Sequence, residues 1–424
     1  MLLTWMVKVI MKNFFEEFNF IKEYKQKNDE ELVLLAKNGD ITAQYVLVKK
    51  VSTIQEDNEF LLLLVKEAET GNSRAAAYLG QCYEQGGALP YNFNKALQWY
   101  KKAAEKSDEY GQYAAGACFE KGWGTSIDYA KAMEFYKKSA EQNNCLAQYA
   151  LGLLSEQGKG TVKSIKRAID YFLKSATGGY VEAQYHLAEI YSNGDGVEKD
   201  YSQAAKWYYE AAKQNHAKAQ YSIGQCLELG KGANKNVETA VKWYKKAAEQ
   251  GHIPAMHSLA KCYYYGRGCE QDYTKAVNLF KVVAQTYNAE SQFYLGWCYF
   301  NGKGTEQNYE LAIEMYTKSA KDEYVSAQYN LGMIYEKGDG TKQDYFLAKF
   351  WYEHASTRGH AGAMYNLGCM YYYGKGVTQD YIKAAEYFVK AKNKENKNAD
   401  SALEKMLEKG FINKELLLKF EQNK

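Results

Sequence analysis

Two short patterns in the sequence could carry chemistry, and both lie near residue 260. Ser258 and Lys261 have the S-x-x-K spacing of a serine nucleophile and its lysine partner. No S-D-N or K-T-G motif accompanies them, so we interpret this match as coincidence. His257 and Cys262 are five residues apart, about 140° around a helix, which does not suit a shared metal ion. These residues therefore predict neither a catalytic site nor a metal site.

The remaining candidates for chemistry are equally sparse. The six histidines are scattered, and none forms an H-x-x-x-H pair. The G-x-G turns do not predict phosphate loops, because no Lys-Ser or Lys-Thr follows them. We therefore expect no catalytic residues, no metal and no cofactor.

Both patterns lie inside a strict internal repeat. From Gly80 to Gly368 the same position returns every 36 residues, since 116 − 80 = 36 and 368 − 332 = 36. A second glycine, six residues further on, occurs in all nine units: Gly86, Gly122, Gly158, Gly194, Gly230, Gly266, Gly302, Gly338 and Gly374. A fixed period of this length predicts a helical repeat protein.

Each unit reads as a helix, a glycine turn and a second helix. Glycine can end the first helix in the left-handed conformation that other residues resist. Asn, Asp or Ser then follows in every unit at the position that caps the second helix, and alanine follows four residues later. Small residues let helices approach closely, and aromatic residues fill the space beside them. Two short helices cannot bury these faces alone, so neighbouring units must stack.

The sequence thus predicts an all-α protein, an α/α solenoid of about ten 36-residue helix-turn-helix repeats. We assign residues 1–40 to N-terminal capping helices and a half repeat, and 41–73 to a degenerate repeat. Residues 74–397 form nine full repeats and 398–424 form C-terminal capping helices. Within the first segment, residues 11–26 are expected to form a capping helix.

Composition excludes several classes of protein. With 46% hydrophobic and 25% charged residues, the 424-residue chain is neither disordered nor membrane-spanning. A net charge of +3 predicts no nucleic-acid partner. The apolar start lacks preceding basic residues and a cleavage site, so we expect no secretory signal, and Met6 and Met11 are alternative starts. We predict a cytoplasmic protein whose eight cysteines are small core residues.

The pattern A-x-Y-x-L-G-x-x-Y-x-x-G-x-G, followed by D-Y-x-K-A-x-x-W-Y-x-K-A-A-x-x-G, resembles the Sel1-like repeat family, a cousin of the tetratricopeptide repeats. Residues 363–391 show it well. The resemblance implies a right-handed superhelix whose first helices line the concave face and which holds other proteins as an adaptor. Some secreted bacterial members join each helix pair by a disulfide, but this chain lacks the second cysteine of such pairs.

A predicted partner-binding surface comes from positions that vary between units and whose choice the fold does not explain. Two residues before the invariant glycine, glutamate in most units gives way to aromatic residues in later ones. With the turn cations, the set is Tyr264, Tyr265, Trp297, Phe300, Tyr372, Tyr373, Arg267, Lys303 and Lys375. Such a surface suits an extended peptide or a partner helix. The alternative is that these rings only add packing between repeats.

We therefore predict a non-enzymatic scaffold that binds a partner protein or peptide through its concave face. Two alternatives stay open. One is a weak hydrolase of the β-lactamase-like kind suggested for some relatives. The other is a structural protein that associates with itself.

Overall fold

Paired helices make up the chain, as the period predicts. The structure is a computed structural model that describes residues 23–24, 26–51, 55–286 and 288–422. Twenty-three helices have defined bounds within these ranges, and the same ranges contain no β-strand. The predicted all-α solenoid of helix-turn-helix repeats is confirmed.

The first compact unit ends at Asn215. It holds eleven helices: α1 (Asp29–Lys37), α2 (Ile41–Lys50), α3 (Glu59–Glu69), α4 (Ser73–Gln85), α5 (Phe93–Glu105), α6 (Glu109–Lys121), α7 (Tyr129–Glu141), α8 (Cys145–Gln157), α9 (Ile165–Thr177), α10 (Val181–Asn193) and α11 (Tyr201–Lys213). Within this unit, from α4 onward, each first helix packs on the second helix of its own repeat, and that second helix packs on the first helix of the next repeat in the unit.

The second unit runs from His216 to the end of the chain. Its helices are α12 (Ala217–Leu229), α13 (Val237–Glu249), α14 (Ile253–Tyr265), α15 (Tyr273–Ala284), α16 (Ala289–Asn301), α17 (Tyr309–Lys321), α18 (Val325–Lys337), α19 (Tyr345–Thr357), α20 (Ala361–Tyr373), α21 (Tyr381–Lys392), α22 (Ala399–Glu408) and α23 (Lys414–Gln422). Most of the predicted capping helix at 11–26 lies outside the described residues, and helices α22 and α23 occupy the C-terminal segment.

Capping side chains start the second helices. At all nine repeats a side-chain oxygen accepts the backbone N–H three residues ahead, at 2.9–3.3 Å. The capping residues are Asn92, Asp128, Ser164, Asp200, Asn236, Asp272, Asn308, Asp344 and Asp380. Each bond satisfies an N–H that a helix start otherwise leaves without a partner in the helix.

Glycine is needed where helices and turns come closest. Gly302 ends α16 with a φ of 63°. At Gly304, with a φ of 71°, a Cβ atom would lie 2.3 Å from the backbone carbonyl of Tyr273. Inside the helix pair, a Cβ on Gly332 would lie 2.4 Å from the ring of Tyr352. Glycine therefore sets both the turn and the distance between paired helices.

Side-chain hydrogen bonds join successive repeats inside each unit. In the second unit, the Gln328 amide donates to the Ala320 carbonyl of the preceding repeat at 3.1 Å. Within one repeat, the Ser319 hydroxyl donates to the Ala289 carbonyl at 2.7 Å. These hydrogen bonds lie near the start of α16, the end of α17 and the start of α18. None of the described helices is long and apolar enough to cross a membrane.

Candidate partner-binding site

The nine predicted binding residues lie at the carboxyl ends of first helices and in the turns that follow. The aromatic ones end or nearly end α14, α16 and α20, and each cation directly follows the glycine that stops its helix. All belong to the second unit. The structure divides the rings into separate groups instead of one continuous surface.

The first group is the Tyr264 cluster, defined as Tyr264, Tyr265, Tyr273, Phe280, Tyr294 and Trp297. The ring of Tyr264 lies at its centre, with ring centroids 4.8 Å from Tyr265, 5.0 Å from Tyr294 and 5.2 Å from Trp297. Burial raises the pKa of Tyr264 well above its usual range. Tyr264 and Trp297 are partly buried against the core, so part of their role is packing between repeats.

Tyr265 is the exposed member of this cluster. Half of its side chain is accessible, at 50%. Its hydroxyl lies 2.8 Å from that of Tyr294, and the Arg267 guanidinium lies 5.3 Å from its ring centroid. The ring is thus held in place while one face remains open to a partner.

Phe300 and the last aromatic pair pack separately. Phe300 contacts Tyr309 at 5.2 Å and is partly buried against the core of the following repeat. Tyr372 contacts Tyr373 at 4.8 Å and Tyr381 at 5.5 Å. Tyr373 is 64% exposed and has the Lys375 ammonium 5.9 Å from its ring centroid. Tyr265 and Tyr373 therefore repeat one arrangement, an open ring beside a turn cation.

The three turn cations differ in their partners. Arg267 forms an ion pair with Glu228 at 3.5 Å, and Lys375 forms one with Glu336 at 3.8 Å. Within the described residues, Lys303 forms no ion pair. The acidic partner lies 39 residues earlier in both pairs, and at that distance from Lys303 stands Tyr264.

A shallow cleft adjoins the Tyr264 cluster. It has a volume of about 360 Å³ and is lined by Lys261, Tyr265, Arg267 and Tyr294. Two cations and two phenol hydroxyls thus face this cleft. The ammonium of Lys261 is held by the Glu290 carboxylate at 2.7 Å.

Behind the cleft, α14 and α16 are joined by a polar network around His257. Its Nε2 atom lies 3.0 Å from the Glu290 carboxylate, and its Nδ1 atom lies 2.7 Å from the Ser291 hydroxyl. The hydrogen bond from His257, together with the Lys261 ion pair, lowers the pKa of Glu290 to about 2. Glu290 is therefore ionised at neutral pH and binds both His257 and Lys261 of the preceding repeat.

Serine, histidine and glutamate occur together here, as in hydrolases, but the geometry does not favour nucleophilic catalysis. Ser291 is fully buried, at 0% exposure, so a substrate cannot reach its hydroxyl. Ser258 hydrogen-bonds Tyr221, and Lys261 is paired with Glu290. In the part of the chain that the structure describes, no three His, Cys, Asp or Glu side chains are placed to hold a metal ion.

The expectation that the fold does not explain the glutamate positions is wrong. The hydroxyls of Tyr136 and Tyr244 each donate to one of these glutamates, Glu120 and Glu228, at 2.7 Å. The same bond is made at Glu84 and Glu336. Where the second helix instead carries Phe280 or Phe388, the glutamate is replaced by Tyr264 or Tyr372. The aromatic residue coincides with loss of the hydroxyl donor in these two repeats only. Glu156 is kept although the second helix carries Phe172, and Phe300 is present although the second helix carries Tyr316.

Sequence reasoning missed two features of this region. Tyr294 belongs to the cluster. The signal was the change from a small residue to tyrosine, since the equivalent residues include Ala114, Ala150, Ser222 and Ser258. The His257 network was missed because Glu290 and Ser291 lie 33 and 34 residues away on the next first helix. Only the stacking of the repeats brings them together.

The remaining histidines mostly serve the fold. His216, His252 and His360 begin first helices, where each Nδ1 accepts a backbone N–H at 3.1–3.3 Å.

The described residues contain no disulfide bond. Burial raises the pKa of the Cys82, Cys262 and Cys298 thiols to about 12, so these thiols stay protonated at neutral pH.

Comparison with known proteins agrees with this architecture. The Sel1 repeat model matches residues 73–108, 109–144, 145–180, 181–216, 217–252, 253–282, 289–324, 325–360 and 361–396. A search of curated protein sequences found no match.

Two solved structures illustrate the similarity. One is c5321, a protective antigen present in uropathogenic Escherichia coli strains that displays an SLR fold. It is 28% identical, with 98% of this chain and 93% of that chain covered and a TM-score of 0.69. The other is a Sel1 repeat protein from Oxalobacter formigenes, 23% identical over 77% of this chain and 93% of that one, with a TM-score of 0.49. The nine repeat matches, together with the helix pairs, show that this chain belongs to the Sel1 repeat family.

Proposed function

We propose that this chain is a non-enzymatic adaptor that binds a partner protein or peptide on the face formed by its first helices. By resemblance to the family, we expect that face to be the concave side. Sel1 repeats are a fold typical of protein-interaction scaffolds. The observation that carries the proposal is the open ring beside a turn cation, found at both Tyr265 and Tyr373.

These two rings occupy equivalent positions three repeats apart, since 373 − 265 = 108. Each ring is fixed by a neighbouring aromatic side chain, so little conformational entropy is lost when a partner covers it. Tyrosine and arginine are the residue types that most often dominate binding energy at protein interfaces. In this proposal Tyr264 and Tyr372 hold the open rings directly, and Trp297 packs against Tyr264. Phe300 packs separately against Tyr309.

The test is affinity capture with the tagged full-length chain from cells that naturally express it, read out by quantitative mass spectrometry. The double variant Tyr265→Ala/Tyr373→Ala should lose at least tenfold of one or more captured proteins. Phe346→Ala is the matched control, because Phe346 is an aromatic residue that is 76% exposed on the second helix α19.

The melting temperature of each variant decides how the capture result is interpreted. We expect both variants to melt within a degree or two of the wild type, because exposed side chains contribute little to stability. If the double variant captures every partner as well as the wild type does, the proposal fails. Recovery of nothing but further copies of the chain also contradicts it, and light scattering would then measure self-association.

A further inference from the structure

Two turn cations of the second unit pair with a glutamate of the preceding repeat. Arg267 pairs with Glu228, and Lys375 pairs with Glu336. Each glutamate also accepts a hydroxyl from the second helix of its own repeat, so it joins two repeats. Each of these two turn cations therefore has one acidic partner in the preceding repeat.

Lys303 departs from this rule. The position that would supply its carboxylate is Tyr264, and in the described residues Lys303 has no acidic partner within ion-pair distance. The second helix there carries Phe280, so no tyrosine hydroxyl is available to a side chain at the position of Tyr264. Lys303 is exposed, and the 39-residue spacing of the other two pairs directs its ammonium toward the position of Tyr264.

The neighbouring cleft is lined by two further cations, and each of them also has an acidic partner. Lys261 and Arg267 line it together with the hydroxyl-bearing rings of Tyr265 and Tyr294. The Arg267 guanidinium lies 3.5 Å from the Glu228 carboxylate, and its side chain is 47% exposed, so it can also contact a second carboxylate. Cations, phenol hydroxyls and an open ring together suit a carboxylate that lies next to an apolar side chain.

We propose that the partner segment bound at the Tyr264 cluster is an acidic peptide. Its carboxylate side chains contact Arg267 and Lys303, and an apolar side chain between them covers the open face of Tyr265. This inference rests on the proposed function and specifies its partner. Among Lys261, Arg267 and Lys303, only Lys303 lacks a carboxylate partner. A nucleic acid would need a row of unpaired cations along its phosphate backbone, so we favour a peptide.

The test begins with a library of random 16-residue peptides displayed on phage and selected against the full-length chain. Peptides that fail to bind Tyr265→Ala are sequenced and synthesised with amidated C-termini, so that only side-chain carboxylates remain. We expect enrichment of Asp and Glu next to apolar residues. In fluorescence anisotropy, replacing Glu by Gln and Asp by Asn in a selected peptide should weaken binding at least tenfold.

Charge variants of the protein provide the second measurement. Lys303→Gln and Arg267→Gln should each weaken binding of the acidic peptide threefold to tenfold, and raising the salt concentration should weaken it further. Lys245→Gln is the control, because it removes the same charge from an exposed position on the second helix α13. The control should leave the affinity unchanged.

Three outcomes overturn the inference. If Tyr265-dependent peptides are found without acidic enrichment, the partner is not acidic but the proposed function stands. If no selected peptide depends on Tyr265, the inference fails, and the capture experiment alone then decides the proposed function. A 15-nucleotide single-stranded RNA that displaces the acidic peptide at lower concentration would identify a different class of partner.

Discussion

The carboxyl group of Glu84 should make the first full repeat less stable at high pH. Its side chain is 2% exposed and accepts the hydroxyl of Tyr100, and burial raises its pKa to about 7 from the ordinary 4.5. A carboxyl with a raised pKa favours the folded state when it is protonated. Stability is therefore fully present below pH 4.5 and is lost as the pH rises through 7.

The magnitude follows from the two pKa values. Their difference corresponds to about 3 kcal/mol of lost stability once the pH is well above 7. Glu84→Gln has no charge to bury and can still accept the hydroxyl of Tyr100. Its effect on stability should therefore be about 2.5 kcal/mol more favourable at pH 8.5 than at pH 5, because about 0.8 kcal/mol is already lost at pH 5.

Hydrogen exchange measured by mass spectrometry on the full-length chain is the assay, because repeats open locally as well as together. In peptides from α4 and α5, protection of Glu84→Gln relative to wild type should rise about a hundredfold between pH 5 and pH 8.5. Glu336→Gln is the matched control, since Glu336 also accepts a tyrosine hydroxyl but is 23% exposed. An equal effect of Glu84→Gln at both pH values would refute the reasoning.

Three further predictions concern the second unit. Gly304→Ala should lower the free energy of unfolding by about 3 kcal/mol, because its methyl group would overlap the backbone of Tyr273. Gly251→Ala, where nothing lies within 4 Å, should cost only about 1 kcal/mol in the same urea titration. Burial lowers the pKa of His252, so its capping bond stabilises the fold above pH 6.5 and is lost as the pH falls; the His252→Asn variant should show a smaller drop in melting temperature between pH 7.5 and 5. Glu290→Gln should destabilise the chain by about 1 kcal/mol at pH 7, with the effect present above pH 4.5 and fading as the pH falls towards 2, because this carboxylate is only half-buried. If either pH series runs in the opposite direction, the corresponding assignment is wrong.

Most of the fold could be predicted because each structural device repeats in the sequence. Nine glycines at one position and nine capping residues six positions later identify the turn and the start of the second helix. The expected close approach of small residues and rings is confirmed, for instance between Gly332 and Tyr352. A turn or helix cap that recurs nine times gives a periodic pattern that is visible in a single sequence.

The site was less predictable because its contacts are not periodic. The sequence singled out Tyr264 and Trp297 as surface residues, but both are partly buried against the core. The burial of Tyr264 depends on contacts with Phe280 and Tyr294 on neighbouring helices. The linkage of His257 to Glu290 depends on side-chain directions on two stacked helices, which composition and spacing do not determine. The partner-binding role of the nine residues and the cytoplasmic location stay predictions.

The most direct test of the central claim is a binding measurement on the purified full-length chain with a captured partner. Isothermal titration calorimetry should show that Tyr265→Ala/Tyr373→Ala raises Kd at least tenfold, about 1.4 kcal/mol, with an unchanged melting temperature. Phe346→Ala should bind the partner as the wild type does. An unchanged Kd for the double variant would contradict the claim that the open rings at the ends of the first helices bind the partner.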